Sequence, residues 1–317
     1  MQVQKSNSIA GMSLGGGKKE NFFFCLLEFY EDEKRWFLTS LKHVKEEANL
    51  NQDEAITKWV EGSDLKKLIV DFPLSKPPCE KCDLDCPGST KCHHPVVTEI
   101  KSQMENLLAE DKKLHGDNPK KYEQEREEDN KVDYGRSVLY KETSHHILSK
   151  SFKRKLKKGF VPYWNRPVDY WIWNNYYDQL LNTFNVSYDS FGNVSVMLLH
   201  KFHYLLRHLP TDLSIYESDS LIVLIELYRA QVITKKHLIE LQDINLNTLA
   251  RVRIAKAIES KLDLFIYKND LELISKNPKA FDSFLLAVAG QSLILSKNRD
   301  IPDFGLKDNS RFIAPLF

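Results

Sequence analysis

The run Lys67-Leu-Ile-Val-Asp-Phe-Pro-Leu-Ser75 decides how the chain is read. Leu68 to Val70 is a short apolar strand that carries Asp71 to the point where Pro73 stops it. In α/β sheets, ligands and reacting groups gather at such carboxyl ends. Directly beyond, Cys79, Cys82, Cys86 and Cys92 fall within fourteen residues, with His93 and His94 adjoining. One segment therefore offers a candidate catalytic acid and a candidate metal site.

Upstream, the chain reads as strands. Ile9 to Leu14 is a short strand ending in Gly15-Gly16-Gly17, Asn21 to Tyr30 is a strong one, and Arg35 to Val44 returns after the polar turn Glu31-Asp-Glu-Lys34. Together they predict an antiparallel meander. Gln52 to Glu61 has Ala55, Ile56, Trp59 and Val60 on one helical face, and Gly62 ends it. A strand reached through that helix is expected to lie parallel to its neighbour.

Downstream of Lys76 the character changes. Pro95 to Asp111 is helical, Glu110 to Lys131 is densely charged with mixed signs, and Ser144 to Lys158 is a basic helix. Core character resumes at Val194 to Leu209, followed by a short strand at Leu213 to Ser218. Helices follow at Ser220 to Ala230, Lys235 to Gln242 and Leu246 to Lys261. The last helix, Lys279 to Leu295, is strongly apolar and opens on Asn277-Pro278. The expected division is a core at 9–75 and 194–317, with an insert at 76–193. Within the insert, 76–95 is a Cys-rich knot and 96–193 is helical, basic and aromatic.

Composition excludes little. The 317 residues are 42% apolar and 28% charged, with a net charge of +1. A substantial core is affordable, and any electrostatic argument for a nucleic-acid partner rests on local patches. No apolar run reaches the roughly 18–20 residues of a membrane span. The first residues lack the apolar stretch of a signal peptide, so a cytoplasmic protein is expected. In that reducing setting, clustered thiols favour metal over disulfides. Cys25, inside Phe22 to Leu27, reads as a buried hydrophobe.

Three strands, a helix, a fourth strand, a helical stretch, a fifth strand and a late apolar helix form the element order of the RNase H-like fold. Five segments also resemble an uncharacterised family of predicted RNase H-like nucleases. Gly11-Met-Ser-Leu-Gly-Gly-Gly-Lys18 is similar to that family's Gly-Ile-Asp-Leu-Gly-Gly opening, and Val70-Asp-Phe-Pro-Leu-Ser75 to its Ile-Asp-Ala-Pro-Leu. Ile215-Tyr-Glu-Ser-Asp219 resembles its Val-Tyr-Glu-Val-Tyr-Pro strand. Ala280-Phe-Asp-Ser-Phe-Leu-Leu-Ala287 resembles its Asp-Ala-Phe-Asp-Ala helix, and Arg311-Phe-Ile-Ala-Pro315 its terminal strand.

The resemblance implies a mixed five-stranded sheet flanked by helices, and a carboxylate cluster holding one or two Mg²⁺ or Mn²⁺ ions for phosphodiester hydrolysis. The implied acids are Asp71, Glu217 and Asp282, with Asp219 a substitute on the same strand. The family's first-strand Asp falls on Ser13, which points to a weakened nuclease or to a non-catalytic nucleic-acid-binding or scaffold protein. A phosphate-handling enzyme of the wider superfamily rests only on Gly15-Gly16-Gly17. Simpler roles stand beside these. Asp71 can cap a turn, and Asp282 sits in a first turn where the helix dipole favours any acid.

Cys79-x2-Cys82-x3-Cys86-x5-Cys92 suits a structural tetrahedral zinc, with an iron–sulfur cluster, free thiols or disulfides as alternatives and His93 or His94 able to replace one sulfur. In the insert, Lys150 to Lys158 carries six positive charges in nine residues, and Phe160 to Tyr177 carries eight aromatics in eighteen. Lys153, Arg154, Lys155, Lys157 and Lys158 are candidate phosphate contacts, with the aromatics stacking on unpaired bases. The competing reading is a solvated helix face beside a buried aromatic core.

Overall fold

The computed structural model describes residues 7–15, 21–44, 50–63, 65–124, 147–186, 196–303 and 311–317. Gly16-Gly17, most of the charged stretch after Lys121, and His145 and His146 lie outside the described residues. The chain is α/β and divides into two compact units. One takes Met1–Pro73, Asn193–Arg299 and Ile313–Phe317, the other Leu74–Gly192 and Asp300–Phe312.

The first unit is built on a mixed sheet. Its strands are β1 (Asn7–Gly15), β2 (Asn21–Tyr30), β3 (Arg35–His43), β4 (Lys67–Val70), β5 (Ser214–Glu217) and β6 (Leu264–Phe265), in the order β5-β4-β1-β2-β3-β6. β1, β2 and β3 form the expected antiparallel meander, and β4 and β5 add in parallel on the β1 side. The sheet has six strands, one more than expected. β6 is two residues long, too short for any periodicity to announce it, and pairs in parallel with β3 at Trp36 and Phe37. The expected terminal strand at Arg311–Pro315 is instead an isolated bridge between Pro315 and Asn298, with the Ile313 amide donating to the Glu217 carbonyl.

Phe22 to Leu27 are buried without alternation, and so are Leu68 to Val70. A sheet covered on both faces selects continuous apolar runs of this kind. The meander reaches β4 through α1 (Gln52–Gly62), which opens on a capping box in which Asn51 accepts from the Asp53 and Glu54 amides and Glu54 accepts from the Asn51 amide. α5 (Val196–Leu206) precedes β5. α6 (Ser220–Arg229), α7 (Lys235–Gln242), α8 (Asn247–Lys261), α9 (Lys268–Lys276) and α10 (Pro278–Ile294) follow it.

α10 lies directly on β1, β2 and β4. Gly11 and Gly290 make that approach possible. A Cβ on Gly11 would collide with the Ser283 carbonyl and the Ala287 amide, and one on Gly290 with Ile9 and Ile69. This places Ile9, Gly11 and Ile69 on the α10 face of the sheet. Because strand residues alternate, Ser13 and Asp71 share that face.

The second unit contains α2 (Pro95–Asp117), α3 (Lys150–Lys158) and α4 (Pro167–Phe184). α4 is buried nearly all round. Tyr170, Trp171, Trp173, Tyr176 and Tyr177 are core, and Trp171 packs 6.2 Å from the Phe312 ring. Two short 3₁₀ turns, Pro78–Lys81 and Ser89–Lys91, carry the cysteine segment.

Candidate active site

β4 delivers Asp71 beside the end of β1. The Ser13 hydroxyl donates to Asp71 Oδ2 at 2.5 Å and the Leu14 amide donates to Oδ1 at 2.9 Å. Ser13 is fully buried, so the neutral side chain on the first strand is bound to the acid it was expected to accompany. From the first turn of α10, Lys279 Nζ reaches Asp71 Oδ2 at 3.4 Å and Asp282 Oδ2 at 3.1 Å. Asp219 completes the group. Its Oδ1 caps α6 by accepting from the Leu221 and Ile222 amides, and its charge is felt with those of Asp282 and Asp71.

Burial raises the Asp71 carboxyl above its ordinary value. Lys279, the Ser13 hydroxyl and the Leu14 amide pull it back, while Asp282 adds to the rise. Asp219 is pushed up to about 6, first by burial and then by Asp282 and Asp71, against the two amides that favour its charge. Desolvation works against the Lys279 ammonium, yet Asp282 and Asp71 raise its pKa overall. Lys279 offsets part of the carboxylates' charge, and the Arg251 guanidinium lies within electrostatic reach of Asp282.

Two of the three expected acids, Asp71 and Asp282, are therefore brought together. Glu217 is not. In the parallel register Glu217 pairs with Val70, one step before Asp71. Partnered residues share a face, so Glu217 belongs to the other side of the pleat, where it is buried. Asp219, past the end of β5, takes its place. The residue missed in the sequence was Lys279, although Lys-x-x-Asp at a helix start puts both side chains within one turn.

Oxygen availability bears on what ion the group could hold. Both Asp71 oxygens accept hydrogen bonds, as does Asp219 Oδ1, and Asp282 Oδ2 meets Lys279. Asp219 Oδ2 and Asp282 Oδ1 carry no hydrogen bond among the described residues. Nor, among the described residues, do three or more His, Cys, Asp or Glu side chains form a ready-made metal cage. Lys279 occupies the space between Asp71 and Asp282 as their shared cationic partner.

In the second unit the candidate nucleic-acid contacts separate into two groups. Lys153 pairs with Asp111 at 3.0 Å and donates to the Tyr122 hydroxyl at 2.8 Å, and Lys155 is buried with its ammonium 4.2 Å from the centre of the Trp173 ring. These two hold the unit together. Arg154, Lys157 and Lys158 are exposed. Lys157 and Lys158 line a cavity of about 500 Å³ with Lys101, Met104 and Phe160. Of the aromatic run, Tyr163 and Trp164 remain on the surface, 65% and 54% exposed. The α4 aromatics expected to stack on bases are core instead, because their helix is enclosed on nearly every side, with polar Asp169, Asn175, Asp178 and Gln179 buried beside them.

The chain matches no protein-family model, no curated protein and no solved structure. No described helix is long and apolar enough to cross a membrane.

Proposed function

We propose that the first unit is an RNase H-like nuclease core, hydrolysing phosphodiesters with one Mg²⁺ or Mn²⁺ ion at Asp71, Asp219 and Asp282. The observation that carries this reading is that Asp71 and Asp282 meet around Lys279 beyond the carboxyl end of β4, with Asp219 at the start of α6 within electrostatic reach of both. The element order β1-β2-β3-α1-β4-β5 followed by the late apolar α10 is the one the family resemblance implies. When bound, a hard divalent ion supplies charge stabilisation for the phosphoryl oxygens and acidifies water.

The chain's own residues do the remaining work. Asp71 is held in one orientation by Ser13 and Leu14, which preorganises it. Asp219, raised to about 6 without a cation, gives up its proton when a divalent ion is held there. Lys279 supplies a fixed positive charge between Asp71 and Asp282 and is placed to stabilise developing negative charge on a phosphate. The exposed Arg154, Lys157, Lys158, Tyr163 and Trp164 of the second unit are the surface we assign to nucleic acid.

A second reading is favoured by one specific observation. Asp71 is already compensated by Ser13, Leu14 and Lys279, the pattern of a site that has exchanged metal for internal partners. On that reading the protein binds nucleic acid without cutting it. Incubation with single-stranded, duplex and branched substrates in Mg²⁺ or Mn²⁺ separates the two. The nuclease reading expects cation-dependent cleavage, abolished in Asp71→Asn with Asp219→Asn. Binding without cleavage selects the second reading. Cleavage undiminished in the double variant refutes the assignment.

A further inference from the structure

The segment Cys79–Pro95 of the second unit holds its shape without a core. None of its seventeen side chains is buried, and Leu84 is 46% exposed. Its regular structure is confined to the two 3₁₀ turns, the second entered through Gly88 at φ +99°. Hydrogen bonds tie its backbone at several points. The Cys79 amide donates to the Pro162 carbonyl at 3.0 Å, Lys101 Nζ donates to the Ser89 and Thr90 carbonyls at 2.9 and 3.0 Å, and the Thr98 amide closes onto the His94 carbonyl at 3.0 Å. Ordering a chain costs conformational entropy at every residue, and here no apolar burial offsets it. Small coreless segments of this kind are stabilised by disulfides or a metal.

Disulfides are not what holds it. All four cysteines are free thiols. They share one neighbourhood nonetheless. Cys79 lies in the first 3₁₀ turn and Cys82 at its end, Cys92 lies at the end of the second, and Cys86 is in the loop that joins them. Lys81 precedes Cys82 and Lys91 precedes Cys92, so each of two later thiols has an ammonium-bearing neighbour in its own 3₁₀ turn. Four thiolates around a divalent ion carry a net charge of −2, which adjacent lysines moderate.

We propose that Cys79, Cys82, Cys86 and Cys92 bind one structural Zn²⁺ that staples the segment. This does not rest on the nuclease reading, since the ligands are sulfur where that site offers only oxygen, and the two ions are chosen by different chemistry. The thiols do not form a finished cage by themselves. That is expected where binding and local folding are one process, because four thiolates at coordination distance repel one another until the cation draws them in. His94, whose Nδ1 is buried without a hydrogen-bond partner and which follows Cys92 by two positions, is the competing fourth ligand.

Elemental analysis of the full chain, purified without added metal, tests this first. The expected result is one zinc per chain, no iron and no visible absorption. Cys25→Ala keeps that stoichiometry, Cys86→Ser with Cys92→Ser loses it, and His94→Ala retains it. Should the cysteine variant fail to fold, wild-type protein stripped by a strong chelator serves instead. Trypsin then cleaves after Lys81 and Lys91 at least about tenfold faster, and Zn²⁺ but not Mg²⁺ restores protection. Iron with a visible chromophore overturns the proposal, as does metal-free protein whose tryptic rate ignores chelator and zinc alike. Zinc lost in His94→Ala and kept in a single Cys79→Ser variant overturns the ligand set.

Discussion

Lys279 Nζ lies 3.4 Å from Asp71 Oδ2, although 208 residues separate the two in the chain. The contact joins the first turn of α10 to the end of β4. It exists because Gly11 and Gly290 let α10 settle directly on β1 and β4. A cation is thus built into the carboxylate group by the packing of the core.

Replacing Lys279 by Met removes that cation while keeping most of its apolar stem. Asp71 and Asp282 lose a shared partner, so stability in metal-free buffer falls by about 1–3 kcal/mol. Divalent affinity moves the other way and rises at least about tenfold, since a positive charge no longer competes within a few ångströms. Thermal melts with and without Mn²⁺ measure both effects on the same samples.

Ser13→Asp puts a carboxylate where a hydroxyl now donates to Asp71 at 2.5 Å. Without metal the two acids repel and the melting temperature drops. With Mg²⁺ or Mn²⁺ the loss is recovered, because a second acid at that position strengthens cation binding. The quantity to read is the melting shift caused by metal, which must be larger in the variant than in the wild type.

Asp219 carries a raised pKa of about 6 in the folded chain, against an ordinary value of 3.8. The native state therefore holds its proton more tightly than the unfolded one. Its contribution to stability is fully present below the unfolded value and is lost as pH rises through about 6. Asp270, also raised to about 6, acts in the same sense, so the comparison must be between chains. Asp219→Asn keeps an acceptor for the Leu221 and Ile222 amides. It is expected to be more stable than the wild type at pH 7.5 and to flatten the stability profile between pH 4 and 7. If activity needs ionised Asp219, the wild-type rate rises with pH across the same window.

Gly11→Ala tests the packing that creates the site. The added methyl meets backbone atoms of Ser283 and Ala287, which cannot turn aside as a flexible side chain could. A loss of about 2–3 kcal/mol or more follows, measured by denaturant unfolding. Gly62→Ala, where nothing lies within 4 Å, should leave stability nearly unchanged or slightly raised.

Much of this framework was legible beforehand. The meander, the helix before β4, the short β4 and β5 and the apolar α10 all follow from periodicity and caps. Asp71 follows from its place at a strand end, and Asp282 only from the family resemblance. What failed depended on register and on burial. Glu217 ends β5 and Asp219 lies just beyond it, and only pairing with Val70 reveals that Glu217 belongs to the far face. Lys279 was invisible because no local pattern says which loop a helix start will meet. The aromatic block misled because base-stacking residues and core residues are the same residue types. No pattern separates them beforehand, since Pro167–Phe184 mixes its aromatics with Asp169, Asn175, Asp178 and Gln179, and these polar residues are buried with them.

The most direct measurement is the number of Mn²⁺ ions bound at the acid site, by titration of wild type and of Asp71→Asn with Asp219→Asn. The account predicts one ion per chain in the wild type and none in the double variant. Two ions in the wild type, none at all, or one that survives in the double variant, would contradict it.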